Sequence, residues 1–178
     1  MPVETNTNLV ISSTNGSKKT ERILVIGVGN ILLKDEGIGV HIAGELQKHD
    51  LPDNVEVIDG GTAGLDILLS QDKGYKLVVI DAIKAGEKAG TIYKIRLKER
   101  EKDRLRQIFC EKEQAKISLH QVGLLDALTA AEKMNCEPEE VVIFGVEPAE
   151  VDCGLELTGQ VKSKVDKIIE KVLEEIRK

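Results

Sequence analysis

Basic residues are in deficit in this 178-residue chain: 25 lysines and arginines face 31 aspartates and glutamates, a formal charge of −6. That balance provides no positive field to hold a nucleic acid or an anionic membrane. No apolar run approaches the roughly 20 residues needed to span a bilayer. The first residues lack the basic-then-apolar layout of a secretory signal. Cysteines number only three. Cys110, Cys136 and Cys153 are widely spaced, so neither a disulfide framework nor a Cys-x-x-Cys metal site is read from them; reduced thiols in a cytoplasmic protein are the expectation. A zinc-protease His-Glu-x-x-His helix, a Ser-His-Asp set and any internal repeat are missing too, and Cys153 has no context that would make it a nucleophile.

What is present suits one domain with a sizeable core, since 41% of the residues are apolar. Residues 1–20, rich in Ser, Thr and Asn, read as a mobile extension, and 21–178 as a single domain. From Arg22 onward strands and helices alternate. ILVIGV (23–28) and KLVVIDAI (76–83) are continuous apolar runs, as in strands covered on both faces. VEVID (55–59) and EVVIFGVEP (140–148) read as two more strands. In TIYKIRLKER (91–100) Lys94, Arg96, Lys98 and Arg100 alternate with Ile95 and Leu97, a half-buried strand suited to a sheet edge.

Between them lie helical patterns. Asp35 is placed to cap a helix carrying Ile38, Ile42 and Leu46, and Leu65, Leu68 and Leu69 mark a short second one. The mixed-sign run EREKDRLRQ (99–107) reads as a solvated helix. Val122, Leu125 and Leu128 mark another over 120–134. The chain closes with an amphipathic helix capped by Thr158, its Val161, Val165, Ile168, Val172 and Ile176 facing inward. Such alternation predicts an α/β fold with three layers around a mostly parallel sheet.

Ligands in such sheets bind beyond the carboxyl ends of the strands. There the first strand runs into Gly27-Val28-Gly29-Asn30 and, after a short loop, Asp35-Glu36. The second ends at Asp59-Gly60-Gly61-Thr62. The third ends at Asp81, an acid inside an apolar run, which is costly unless something positive pairs with it. His120 enters a later helix. Glu36, Asp81 and His120 would be three ligands from three segments, the layout of a metal site with open positions. A structural role fits the same residues singly: acids complement a helix N-terminus, and a histidine before a helix is often structural. His41, Glu45 and His49 are spaced on one helix face, but the two histidines stand roughly 12 Å apart along the axis and cannot share one ion.

A dinucleotide fingerprint requires a third glycine where Leu32 stands, and two acids at the helix mouth repel a pyrophosphate. The acids favour a cation. A nucleotide-binding module and a non-catalytic metal chaperone remain the rival readings.

ILVIGVGNILLKDEGIGV, DGGTAG, VVIDAI, SLHQVG and GVEP, in this order and spacing, resemble the maturation endopeptidases of NiFe hydrogenases over about residues 22–176. The resemblance implies a cytoplasmic protease, aspartic-type in the family's naming. It would remove a short C-terminal peptide from the precursor of a hydrogenase large subunit after nickel insertion. It implies an α/β/α sandwich with a five-stranded sheet and one antiparallel strand, for which 91–97 is the candidate. It carries nickel binding onto Glu36, Asp81 and His120, and an action on substrate onto Asp59, which suits a general base toward water. The nickel would arrive with the substrate, and zinc or cadmium could take its place in a crystal. The implied partner is the large-subunit precursor, with no nucleic acid and no membrane, and the protein is expected as a monomer. Leu119 departs from the family, some members having Pro before the histidine; the ligand's identity is unaffected.

Overall fold

The computed structural model describes residues 21–98 and 119–178, apart from the side chains of residue 98 and residues 119–122. The expected 1–20 extension, the charged run 99–107 and Cys110 lie outside the described residues.

Five strands form one sheet: β1 (Ile23–Val28), β2 (Val55–Gly61), β3 (Lys76–Ala82), β4 (Ile92–Lys98) and β5 (Glu140–Val146), in the order β2-β1-β3-β5-β4. Pairings β1–β2, β1–β3 and β3–β5 are parallel, and β4 pairs antiparallel to β5 at the edge. This is the predicted three-layer α/β/α architecture, with β4 at the edge its alternating charges suit and antiparallel as the resemblance implied.

Strand parity divides the core in two, because successive side chains point to opposite faces. Leu24, Ile26, Leu77, Val79, Val141 and Ile143 pack on one face against Leu65, Leu68 and helix α2 (Leu119–Lys133). Val25, Val78, Ile80, Val142 and Phe144 pack on the other against α1 (Ile38–Leu46) and α3 (Val165–Ile176). The fourfold spacing of Ile38, Ile42 and Leu46 does form the buried stripe of α1. In α2 the buried stripe is Leu124, Ala127, Leu128 and Ala131 rather than one built on Leu125, which is only half-buried. The residues around Leu65 and Leu68 form a 3₁₀ run, Gly64–Ser70, rather than an α-helix.

Two local expectations are corrected. The closing helix is broken: a turn at Gly159–Lys162 precedes α3, with Lys164 at the start of the longer piece. Neither of the two expected side-chain caps, by Asp35 and by Thr158, forms. Asp35 lies inside a 3₁₀ turn (Lys34–Gly37) ahead of α1, and its carboxylate caps neither the turn nor the helix. Thr158 has the extended backbone of a cap, but makes no side-chain capping bond.

Beside β4, Lys94 and Arg96 do more than decorate an edge. Together with Lys76 and Lys178 they hydrogen-bond the carboxylate of Glu175, which is fully buried. Burial pushes this acid up, yet its four cationic partners outweigh that and hold it well below the usual carboxylate range. Lys94 also lies 5.2 Å above the Phe144 ring centre.

Candidate active site at the carboxyl edge of the sheet

Glycine sets how closely α1 approaches the strand ends. A Cβ on Gly27 would fall 2.1 Å from the Gly39 carbonyl oxygen, and one on Gly39 would fall 2.2 Å from the carbonyl oxygens of Val28 and Ile80. Both clashes are with backbone, so no rotamer change relieves them. The first turn of α1 therefore rests directly on β1 and β3. Gly29 has φ +143°, and a Cβ there would meet the Glu36 carbonyl at 2.0 Å. These contacts bring Glu36, half-buried, to the end of β3 where Asp81 stands.

Asp81 is 3% exposed. One carboxylate oxygen accepts the Ala82 N–H at 2.8 Å. Burial, and secondarily the charge of Glu36, push its carboxyl up to about 8, with the Ala82 hydrogen bond opposing. Two acids thus stand together at the strand ends, and the charge of Glu36 adds to the cost of ionising Asp81. By strand parity Asp81 shares the face of Leu77 and Val79, which is the face α2 covers.

His120 lies in the first turn of α2; its side chain is outside the described residues. The helix's other end is tied to the amino edge of the sheet, where Lys73 donates to the Asn135 side chain and the Glu139 N–H to the Tyr75 carbonyl. Fifteen residues rise roughly 22 Å, so the backbone of His120 returns to the carboxyl edge on the face of Asp81. Among the described residues, no three His, Cys, Asp or Glu side chains gather as a metal set. Glu36 and Asp81 are the described pair.

Asp59 stands apart from Asp81. It is exposed near the end of β2, in register with Gly27, which on its other side pairs with Ile80. Two strand spacings separate the Asp59 and Ile80 backbones, roughly 10 Å. Parity puts Asp59 on the α1 face and Asp81 on the α2 face. The Asp59 carboxylate accepts the Gly61 N–H at 3.0 Å, closing a tight turn for which Gly61 takes φ +49°. It lines a cavity of about 310 Å³ with Gly29, Asn30, Ile31, Leu32, Val40, Gly61 and Thr62.

Sequence reading missed Asp35. Its carboxylate is fully buried and accepts the N–H groups of Ala149, Glu150 and Thr158 and the Thr158 hydroxyl, at 2.7–3.0 Å. Lys34 extends this contact. Its N–H donates to the Gly154 carbonyl, the Gly154 N–H to the Leu32 carbonyl, and its ammonium pairs with Glu150. The loop after β5 is thereby fastened to the loop that carries Glu36. The only trace in the sequence was an acid beside the candidate ligand.

The hydrogenase maturation protease family matches residues 40–175. Over 158 residues the chain is 39% identical to the hydrogenase 2 maturation protease of Escherichia coli, covering 88% of this chain and 91% of that one. It is 35% identical over 165 residues to a putative hydrogenase maturation protease of Methanocaldococcus jannaschii, covering 90% and 99%. The solved structure of the hydrogenase maturating endopeptidase HybD from E. coli superposes with a TM-score of 0.74 at 37% identity, over 88% of this chain and 92% of that one. The chain belongs to the hydrogenase maturation protease family, and is an endopeptidase of hydrogenase maturation.

Proposed function

We propose that this endopeptidase trims a short C-terminal peptide from the precursor of a NiFe hydrogenase large subunit, in the cytoplasm and as a monomer, once nickel is in place. Glu36, Asp81 and His120 receive the nickel that the precursor carries, and Asp59 acts as general base toward the attacking water.

The observation that carries this reading is the placement of Asp81. A carboxyl held nearly dry at a strand end, with Glu36 beside it, pays twice for its charge. A cation docking there relieves both effects at once. Two carboxylates and an imidazole are hard and borderline donors suited to nickel, and equally to zinc or cadmium, since affinity alone does not select among neighbouring metals. Asp59, exposed and on the sheet face opposite Asp81, is open to water. That division of labour fits one acid set aside for proton transfer and others for holding the substrate's metal.

Incubating the protein with nickel-loaded and nickel-free precursor, and following the precursor's length on a gel, tests the reading. Shortening of the nickel-loaded chain alone is expected. Equal trimming of the nickel-free chain would overturn the role given to the metal.

A further inference from the structure

Among the described residues, four large apolar side chains are exposed: Ile31 at 44%, Leu32 at 59%, Met134 at 60% and Leu155 at 64%. Met134 lies just past the end of α2, away from the carboxyl edge. The other three belong to one place. Leu32 and Gly154 are joined by the Gly154 N–H to Leu32 carbonyl bond, and Leu33 and Gly154 form a parallel bridge. Leu32 and Leu155 each adjoin a residue of that bridge, which brings their two loops together. Ile31 precedes Leu32 directly, and both line the cavity that Asp59 also lines.

Aliphatic side chains left in water forgo the gain of burial, so three at one rim mark a surface that something covers. They are also held in place. Asp35 and Lys34 fasten the two loops that present them, through hydrogen bonds that involve no atom of the apolar side chains. Such a rim is ready before its occupant arrives, which spares the ordering cost of a floppy loop.

The occupant follows from what the rim adjoins. Resting on Asp59 as the base, we infer that the cavity beneath Val40 and the rim of Ile31, Leu32 and Leu155 form a subsite for aliphatic side chains of the precursor immediately next to the cleaved bond. Among the described residues, Asp59 is the one ionisable side chain on the cavity wall. A bound segment therefore sets its backbone against the carboxylate and its side chains against Ile31, Leu32 and Val40. A volume of about 310 Å³ admits one or two aliphatic residues. Acidic residues are disfavoured there, because the Asp59 carboxylate repels them and no cation among the described lining residues offsets it. The subsite thus selects the residue beside the bond, while the substrate's metal selects which precursor is ripe.

The test is steady-state trimming of nickel-loaded precursor by the full-length protein carrying Leu32→Asp, Leu155→Asp or both, with Asp59→Asn run beside them. Both leucines are surface positions, and near-unchanged melting temperatures confirm that the fold is kept. The expected result is a fall in kcat/KM of at least 10-fold in the double variant, carried by KM, while Asp59→Asn loses kcat. Precursors in which single aliphatic residues flanking the cut are changed to Asp should reproduce the KM effect in the parent enzyme. An unchanged KM in the double variant overturns the subsite even if Asp59→Asn is dead. Full turnover by Asp59→Asn overturns the base assignment itself, and with it the position of the subsite beside the bond.

Discussion

The carboxylate of Asp35 accepts both the backbone N–H and the hydroxyl of Thr158, at 2.7 and 2.8 Å, across 123 residues of sequence. The same carboxylate holds Ala149 and Glu150, so a single buried acid satisfies three backbone donors in the loop after β5. Buried donors left without acceptors are costly, and bonds to an ionised acceptor are stronger than neutral ones. Glu36 follows Asp35 directly, so whatever loosens this junction also loosens the candidate ligand.

Asp35→Asn must turn an amide N–H₂ toward at least one of those donors. It is expected to destabilise the protein by about 3 kcal/mol, with a melting temperature ~10 °C lower. Thr158→Ala, which removes the hydroxyl alone, should cost about 1 kcal/mol. In an Asp35→Ala background Thr158→Ala should cost nothing further, because its partner is gone. Thermal melts of the four variants measure this; additive losses would show that the two side chains do not act through one bond.

A second buried acid works differently. Glu175 gathers Lys76, Lys94, Arg96 and Lys178, tying α3 to β3 and β4. Replacing it by Gln leaves Lys76, itself 5% exposed, with Glu140 as its remaining carboxylate partner. A loss of about 3 kcal/mol at pH 7 is expected, as when one partner of a buried pair is removed. The folded-state acid is depressed below its ordinary value of 4.5. Its contribution is therefore present above pH 4.5 and is lost as pH falls below it. The gap in melting temperature between parent and Glu175→Gln should be widest near neutrality and close between pH 4 and pH 2. A gap that stays constant through that range would deny Glu175 its ionised role.

These two acids show where sequence reading reaches and where it stops. The apolar residues at 38, 42 and 46, and those at 168, 172 and 176, announce their helices because burial repeats with the helical period. The alternating charges of 91–97 announce the edge strand for the same reason at period two. Asp35 offers no such signal: its partners lie 114–123 residues away, and an acid before a helix reads locally as a cap. Glu175 sits among other charged residues in a closing helix, and only the packing of α3 against β4 shows that it faces inward. At the site, the strand ends named Asp59 and Asp81 together. That the two occupy opposite faces depends on register between strands, which a linear pattern does not contain.

The face and burial of Asp81 give the last prediction, for the protein free of metal. Its carboxyl is raised from 3.8 to about 8, by burial first and by Glu36 second. An acid whose folded value lies above its unfolded value contributes full stability below the unfolded value, and that stability is lost as pH rises through the folded one. The window is therefore pH 4 to 8: melting temperature should decline across it, and Asp81→Asn should flatten the decline. At pH 8 the Asn variant is expected to melt higher than the parent, because the amide carries no charge to keep dry. Below about pH 4, where the acid is protonated in both folded and unfolded chains, the two should nearly coincide. The same variant should fail to trim nickel-loaded precursor, so a gain in stability would accompany a loss of processing. That pairing separates a site acid from a structural one, since replacing a structural acid lowers both. A parent protein whose stability is flat from pH 5 to 8 would show that Asp81 is ionised throughout and already neutralised within the folded chain.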